Sequence, residues 1–272
     1  PVWRVAGRCA VSLVRRRVPG LRSVPVTIDA AGTRIVADLS GPFGLSLYRY
    51  GFTQPEAALV QHLLRPGDVF VDGGAHIGVF TLLAAAAVGP TGRVIACEPV
   101  PENMALLEAN VALNGFGWVE THRVALGERR GQAEFFSFEP GSALGSYAPA
   151  TSEGRHRLTV DVVPLDEVVG SPTSGVRLVK LDIEGAELLA LRGAPALLAA
   201  KPDFLLELEP EHLARQNATV GELRDLFTTA GYEAFEIRGN AARVSLVPMT
   251  AWRRPPGSPN VLVSARPLLS GS

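Results

Sequence analysis

Two groups of carboxylates close strand-like runs in this sequence, and each stands next to a turn. Asp72 and Glu98 end the apolar runs at 69–72 and 94–98, with Gly73, Gly74 and Gly78 between them. Further on, Asp182, Glu184 and Glu187 fall within six residues, where the run 176–183 passes into a helix. Glu207, Glu209, Glu211 and His212 follow the run 204–208. A carboxylate or histidine within hydrogen-bond reach of a hydroxyl can draw its proton away and make it a nucleophile. Asp182 and Glu184 are the first candidates for that role, with Glu207 and His212 on the neighbouring strand end as the second. Helix N-termini attract carboxylates for structural reasons, and that accounts for Glu187. An oxygen-rich group such as Asp182, Glu184, Glu207 and Glu209 could instead hold Mg2+ or Ca2+.

The elements that must position these residues can be read from the same stretches. Residues 69–98 read as a strand, a glycine turn, an alanine-rich helix and a second strand, a βαβ unit. Glycines let the backbone turn sharply and come close to a ligand. In an open α/β sheet, ligands bind outside the carboxyl ends of the strands, where Asp72 and Glu98 lie. A dinucleotide site asks for G-x-G-x-x-G, but the nearest frame is Gly73-x-Ala75-x-x-Gly78, and Asp72 beside it would repel a pyrophosphate. A ligand with an amino group and a ribose but no phosphate fits better, with Asp72 toward the ammonium and Glu98 toward the ribose hydroxyls. S-adenosylmethionine is such a ligand. The alternatives are an NAD(P)-dependent oxidoreductase, which would use the acidic residue 20 positions after Gly78, and a non-catalytic S-adenosylmethionine-binding protein, which would not need Asp182 and Glu184.

The 272 residues suffice for one large α/β domain or two small ones, and 47% hydrophobic with 19% charged residues is ordinary for a globular protein. A formal charge of −1 gives no global pull toward nucleic acid or acidic membranes. No N/D-P-P-Y-type motif or basic, aromatic-interleaved surface marks a nucleic-acid base methyltransferase. The segment up to Arg22 has six arginines and no acidic residue; residues 1–18 read as a short amphipathic helix docked on the domain, the alternative being a patch for an anionic partner or membrane surface. Two cysteines, Cys9 and Cys97, give no disulfide framework, which suits a reducing cytoplasm. No run approaches the roughly 20 apolar residues of a transmembrane helix, and three arginines after residue 14 argue against a secretory signal.

Along the chain, 25–28 and 33–37 flank a turn-like insert and predict a hairpin, and a helix follows from Gln54. A second helix, after Pro101, stops at Asn114-Gly115. Residues 119–126 read as a third strand whose end, with Ala125, would lie beside an adenine. Residues 133–138 and 158–162 predict antiparallel strands around a Gly/Ser/Pro-rich loop at 139–156, a candidate lid. Two more strands (232–237, 260–264), a helix at 219–230 and an extended connection at 241–259 complete the reading. His62 and His122 are read as surface or packing histidines away from the strand ends.

The segments VFVDGGAHIGVFTLLAA, CEPVPENMALLEANVALNG, VALGE, VKLDIEGAELLALRGA and FLLELEPEH resemble the FkbM family of S-adenosylmethionine-dependent methyltransferases. The similarity runs from about Gln54 to Glu236, with LDIEGAE its most specific part; His76 stands where the motif more often has Asn. The resemblance implies a Rossmann-like class I fold, with a seven-stranded, mainly parallel sheet containing one antiparallel strand. It implies O-methylation of a sugar or hydroxyl-bearing natural product. The expected cofactor contacts are Asp72, Gly73, Gly74, His76, Gly78, Glu98, Asn103, Ala125 and Asp182. The expected organisation is an N-terminal β/α extension (1–53), then the methyltransferase domain (54–272) with an antiparallel insertion at 131–165. A homo-oligomer is compatible with all of this.

Overall fold

The structure is a computed structural model that describes residues 26–30, 32–37, 44, 46–48, 54–137, 145–146, 156–240 and 243–266. The basic segment at the start, the run 49–53 and most of the 139–156 loop lie outside the described residues.

The chain begins with the predicted hairpin, β1 (Val26–Ala30) and β2 (Thr33–Ala37), paired antiparallel. Helix α1 (Pro55–Leu63) leads into β3 (Val69–Gly73), α2 (Val79–Val88), β4 (Arg93–Cys97), α3 (Pro101–Asn114) and β5 (Val119–His122). Next come β6 (Ala125–Gly127), β7 (Gly131–Ser137), β8 (Gly145–Ser146), β9 (His156–Pro164) and α4 (Leu165–Val169). The last part holds β10 (Val176–Leu181), α5 (Glu187–Arg192), α6 (Pro195–Ala200), β11 (Asp203–Glu207), α7 (Pro210–Arg215), α8 (Val220–Thr229), β12 (Glu233–Asn240), β13 (Arg243–Pro248) and β14 (Asn260–Ser264).

The main sheet has the order β13-β12-β14-β11-β10-β3-β4-β5. From β11 to β5 neighbouring strands run parallel, while β14 is antiparallel to both β11 and β12. These seven strands are the expected sheet with its one antiparallel member. An eighth, β13, folds back on β12 as an edge hairpin in what the sequence reads as an extended connection. Its residues alternate between exposed and half-buried, so the segment carries little of the apolar signal of a core strand.

Both faces of the sheet are covered, which explains the nearly unbroken apolar runs of its strands. Val71, Val179, Phe204, Leu206 and Val263 face α5, α6 and α8, through Leu188, Leu191, Leu197, Leu223 and Phe227. Phe70, Leu178, Leu205 and Leu262 face α1 and α2, through Leu59, Val60, Ala84, Ala85 and Val88. Because side chains alternate along a strand, the residue two places after each of these keeps its face. Asp72, Lys180 and Glu207 therefore follow Phe70, Leu178 and Leu205 on the α1/α2 face as the strands reach their carboxyl ends.

The predicted third strand divides. Residues 119–122 belong to the main sheet, but after Arg123 and Val124 the chain joins a second, four-stranded sheet, order β6-β9-β7-β8. Ala125 pairs there with Val162 and packs with Val100, Phe135 and Val160. The hairpin is held by side-chain amides of α3. Asn114 exchanges hydrogen bonds with the backbone of Arg34, and Asn110 with that of Val36. No helix among the described residues is long and apolar enough to cross a membrane.

Candidate active site

Three turns meet at the carboxyl ends of β3, β10 and β11. In the first, Gly74 lies at φ 76° and a Cβ there would sit 2.0 Å from the Asp182 carbonyl oxygen. Only glycine allows that approach. In the second, Gly185 lies at φ 103° and a Cβ would sit 2.2 Å from the His212 carbonyl oxygen. His76 and Glu184, one in each turn, adopt left-handed backbone at φ 52° and 57°, a conformation that costs non-glycine residues energy and concentrates at functional sites. The turns are thus in backbone contact, one on the next.

Asp72 is fully buried. Its Oδ2 accepts from Thr81 Oγ1 at 2.7 Å, and its Oδ1 faces Lys180 Nζ at 3.3 Å. The charge that the sequence reading turns toward a ligand ammonium is met inside the fold, by Lys180. That lysine is the residue sequence reasoning missed. The signal was available, for Lys180 stands among Leu178, Val179 and Leu181 at the apolar end of a strand whose other cation, Arg177, pairs with Asp203. Glu98 is 5% exposed, and its carboxylate joins three elements. Oε1 accepts from Val100 N–H (3.0 Å) and Asn103 Nδ2 (3.2 Å), and Oε2 from His76 N–H (2.9 Å). A carboxylate oxygen accepts about two donors, so one acceptor position on Oε2 is not filled by these contacts. Burial pushes this carboxyl above the usual range, and the three donors and Lys180 pull it back.

Gly73 ends β3, and Gly78 starts α2 at φ 95°. Ala125 lies in β6 of the second sheet. His122, read as remote from the strand ends, is the last residue of β5; its carbonyl accepts the Glu98 N–H at 3.1 Å and its Nε2 is buried without a hydrogen-bond partner. His62 is exposed on α1.

Glu184, Glu207 and His212 come together from three elements. His212 Nδ1 is 3.1 Å from Glu207 Oε2 and 3.3 Å from Glu184 Oε2, with the three side chains 13–21% exposed. Burial and the neighbouring Glu207 raise the Glu184 carboxyl to about 7. The hydrogen bond to Glu207, reinforced by the charges of Glu207 and Glu184, raises His212 against its burial. The donor atoms of the three groups lie within 4.8 Å of one another and could hold a divalent ion, although a nitrogen donor between two carboxylates suits Mn2+ or Zn2+ better than Mg2+. The other two carboxylates considered for a metal have cationic partners, Asp182 with Lys180 at 3.7 Å and Glu209 with Arg254. Glu187 is buried at the start of α5, accepts from the N–H groups of Ile183 and Gly185, and is pushed by burial to about 8. It closes the second turn as a neutral acid.

The Methyltransferase FkbM domain matches residues 72–234. The chain is 29% identical over 148 residues to Methyltransferase 1 of Beauveria bassiana, covering 47% of this chain and 59% of that protein. It is 40% identical over 53 residues to a putative ribosomal RNA methyltransferase of Schizosaccharomyces pombe, covering 18% of each. Among solved structures, methyltransferase FkbM from Methylobacillus flagellatus is similar at TM-score 0.45 and 18% identity, covering 81% of this chain and 52% of that one. A SAM-dependent O-methyltransferase from Thermotoga maritima is similar at TM-score 0.45 and 14% identity, covering 90% and 79%. The domain match takes in the glycine turn, Glu98 and the carboxylate–histidine group, and by it the chain belongs to the FkbM family of S-adenosylmethionine-dependent methyltransferases.

Proposed function

We propose that the protein methylates a hydroxyl group of a sugar or small-molecule natural product, with Glu184 as general base. The observation that carries this reading is the Glu184–His212–Glu207 group beside the glycine turn, with a carboxyl at about 7. S-adenosylmethionine, when bound, supplies an electrophilic methyl group. The glycine turn and Glu98 hold its nucleoside end, Glu98 through the free position on Oε2, and Asp182 lines the path toward the acceptor. The Glu184 carboxylate would take the proton of the acceptor hydroxyl as the sulfonium–methyl bond gave way to the new O–CH3 bond, with S-adenosylhomocysteine as the leaving group. A base that titrates near the working pH is effective in both halves of such a transfer. His212, held protonated between the two carboxylates, keeps Glu207 from raising Glu184 further. In-line alignment of the two reactants supplies much of the remaining rate.

The test pairs calorimetric titration of S-adenosylhomocysteine with turnover on a panel of hydroxylated acceptors, for wild type and Glu184→Gln. Unchanged affinity with turnover reduced about 100-fold or more is the expected result. Equal turnover would remove Glu184 from the reaction. If EDTA abolishes turnover and Mn2+ restores it, the three donors serve a metal instead.

A further inference from the structure

We propose that Lys180 is the positioning residue of the cofactor crevice, a single buried ammonium that fixes the glycine turn and supplies the counter-charge for the carboxylates around it. The inference rests on the cofactor site proposed above. Lys180 is 4% exposed and stands in the middle strand of the sheet's carboxyl edge, between the crevice and the acceptor group. Its Nζ reaches the carbonyl oxygens of Gly74 at 3.3 Å and Gly73 at 3.5 Å, the Asp72 carboxylate at 3.3 Å and the Asp182 carboxylate at 3.7 Å. From α2, the Phe80 ring lies under it at 5.3 Å. The two carbonyls accept hydrogen bonds from the ammonium, and the Asp72 and Asp182 carboxylates flank it as ion pairs, so these four groups together hold its position.

The charged groups facing Lys180 come from every strand around it: Asp72 on β3, Asp182 at the end of its own strand, Glu207 on β11 and, at longer range, Glu98 on β4. Burial works against the ammonium, but Asp72, Asp182 and Glu207 outweigh it and hold Lys180 charged above the ordinary lysine range. The influence runs both ways, since the Lys180 charge pulls the buried Glu98 carboxyl down. Without Lys180, Glu98 would take up a proton at higher pH and lose the acceptor position that it offers to a ribose hydroxyl.

S-adenosylhomocysteine titrations at about pH 6 and about pH 8.5 test this on wild type, Lys180→Met and the double variant Asp72→Asn/Lys180→Met. Lys180→Met is expected to bind about tenfold weaker than wild type at the lower pH and less weakened at the higher one, because Glu98 keeps its proton to higher pH once the ammonium is gone. The double variant leaves no unpaired Asp72 charge, so it melts closer to wild type than Lys180→Met while retaining the pH-dependent loss, and it carries the test if the single variant fails to fold. A loss of equal size at both pH values, or none, overturns the inference and leaves Lys180 a packing residue. Failure of wild type itself to bind overturns the cofactor reading, and this inference with it.

Discussion

The two halves of the site are built on opposite principles. Around Asp72, Glu98 and Lys180 charge is buried and answered, every carboxylate having a fixed donor or cation within the fold. Around Glu184, Glu207 and His212 two carboxylates share one imidazole near the surface, and the Glu184 carboxyl is raised to about 7. The first half is paired within the fold before any ligand arrives. The second half holds a carboxyl that titrates near neutrality. Burial with full pairing gives rigidity, whereas partial burial with too few partners gives reactivity.

The most severe way to break this contrast is to separate the two halves. Gly74→Ala would force a Cβ into the Asp182 carbonyl and into left-handed backbone, so we expect a loss of about 3 kcal/mol or more in urea unfolding and no measurable cofactor binding. Wild-type stability in Gly74→Ala would show that the turns are not in fixed contact. Glu98→Ala strands three donors in the rigid half, and the expected cost is about 2 kcal/mol together with weaker cofactor affinity. If affinity falls with no change in stability, Glu98 is a ligand contact and not a brace.

A pH series sharpens the contrast through opposite signs. Glu184 and Glu187 hold protons in the fold that the unfolded chain releases near its ordinary value of 4.5. Their contribution to stability is complete below that value and is lost as pH rises through about 7 for Glu184 and about 8 for Glu187. Melting midpoints should therefore fall across this window, each group contributing at most about 1.4 kcal/mol per pH unit, and Glu187→Gln should flatten the fall. Turnover should rise over the same window as Glu184 ionises. The smallest effect belongs to the rim. Glu209→Gln, which loses only the ion pair with part-exposed Arg254, should cost less than about 1 kcal/mol and leave turnover within about twofold.

What could be read from the sequence was local. The strand–glycine–helix pattern around Gly74 and Gly78, the acid ending β4 and the LDIEGAE run each lie within one stretch, and the sheet was legible from them. The pairing of Asp72 was not, because its partner is 108 residues away and only the register of β3 on β10 brings Lys180 beside it. The division between β5 and β6 escaped for a similar reason, since membership of a sheet is decided by neighbours and not by the strand itself. Likewise His212 and Glu184 could be named singly, but their approach depends on Gly185 letting α7 come down on the second turn.

The asparagines of α3 have a consequence for behaviour at high concentration. An open strand edge is a template on which another chain can add. Along the outer edge of β2 the N–H and C=O groups of Arg34 and Val36 are all occupied by Asn114 and Asn110, so a helix finishes the hairpin as a third strand would. The protection of this one edge is thus written 74 to 80 residues away from the strand that needs it, in two amides that no inspection of the hairpin sequence would reveal.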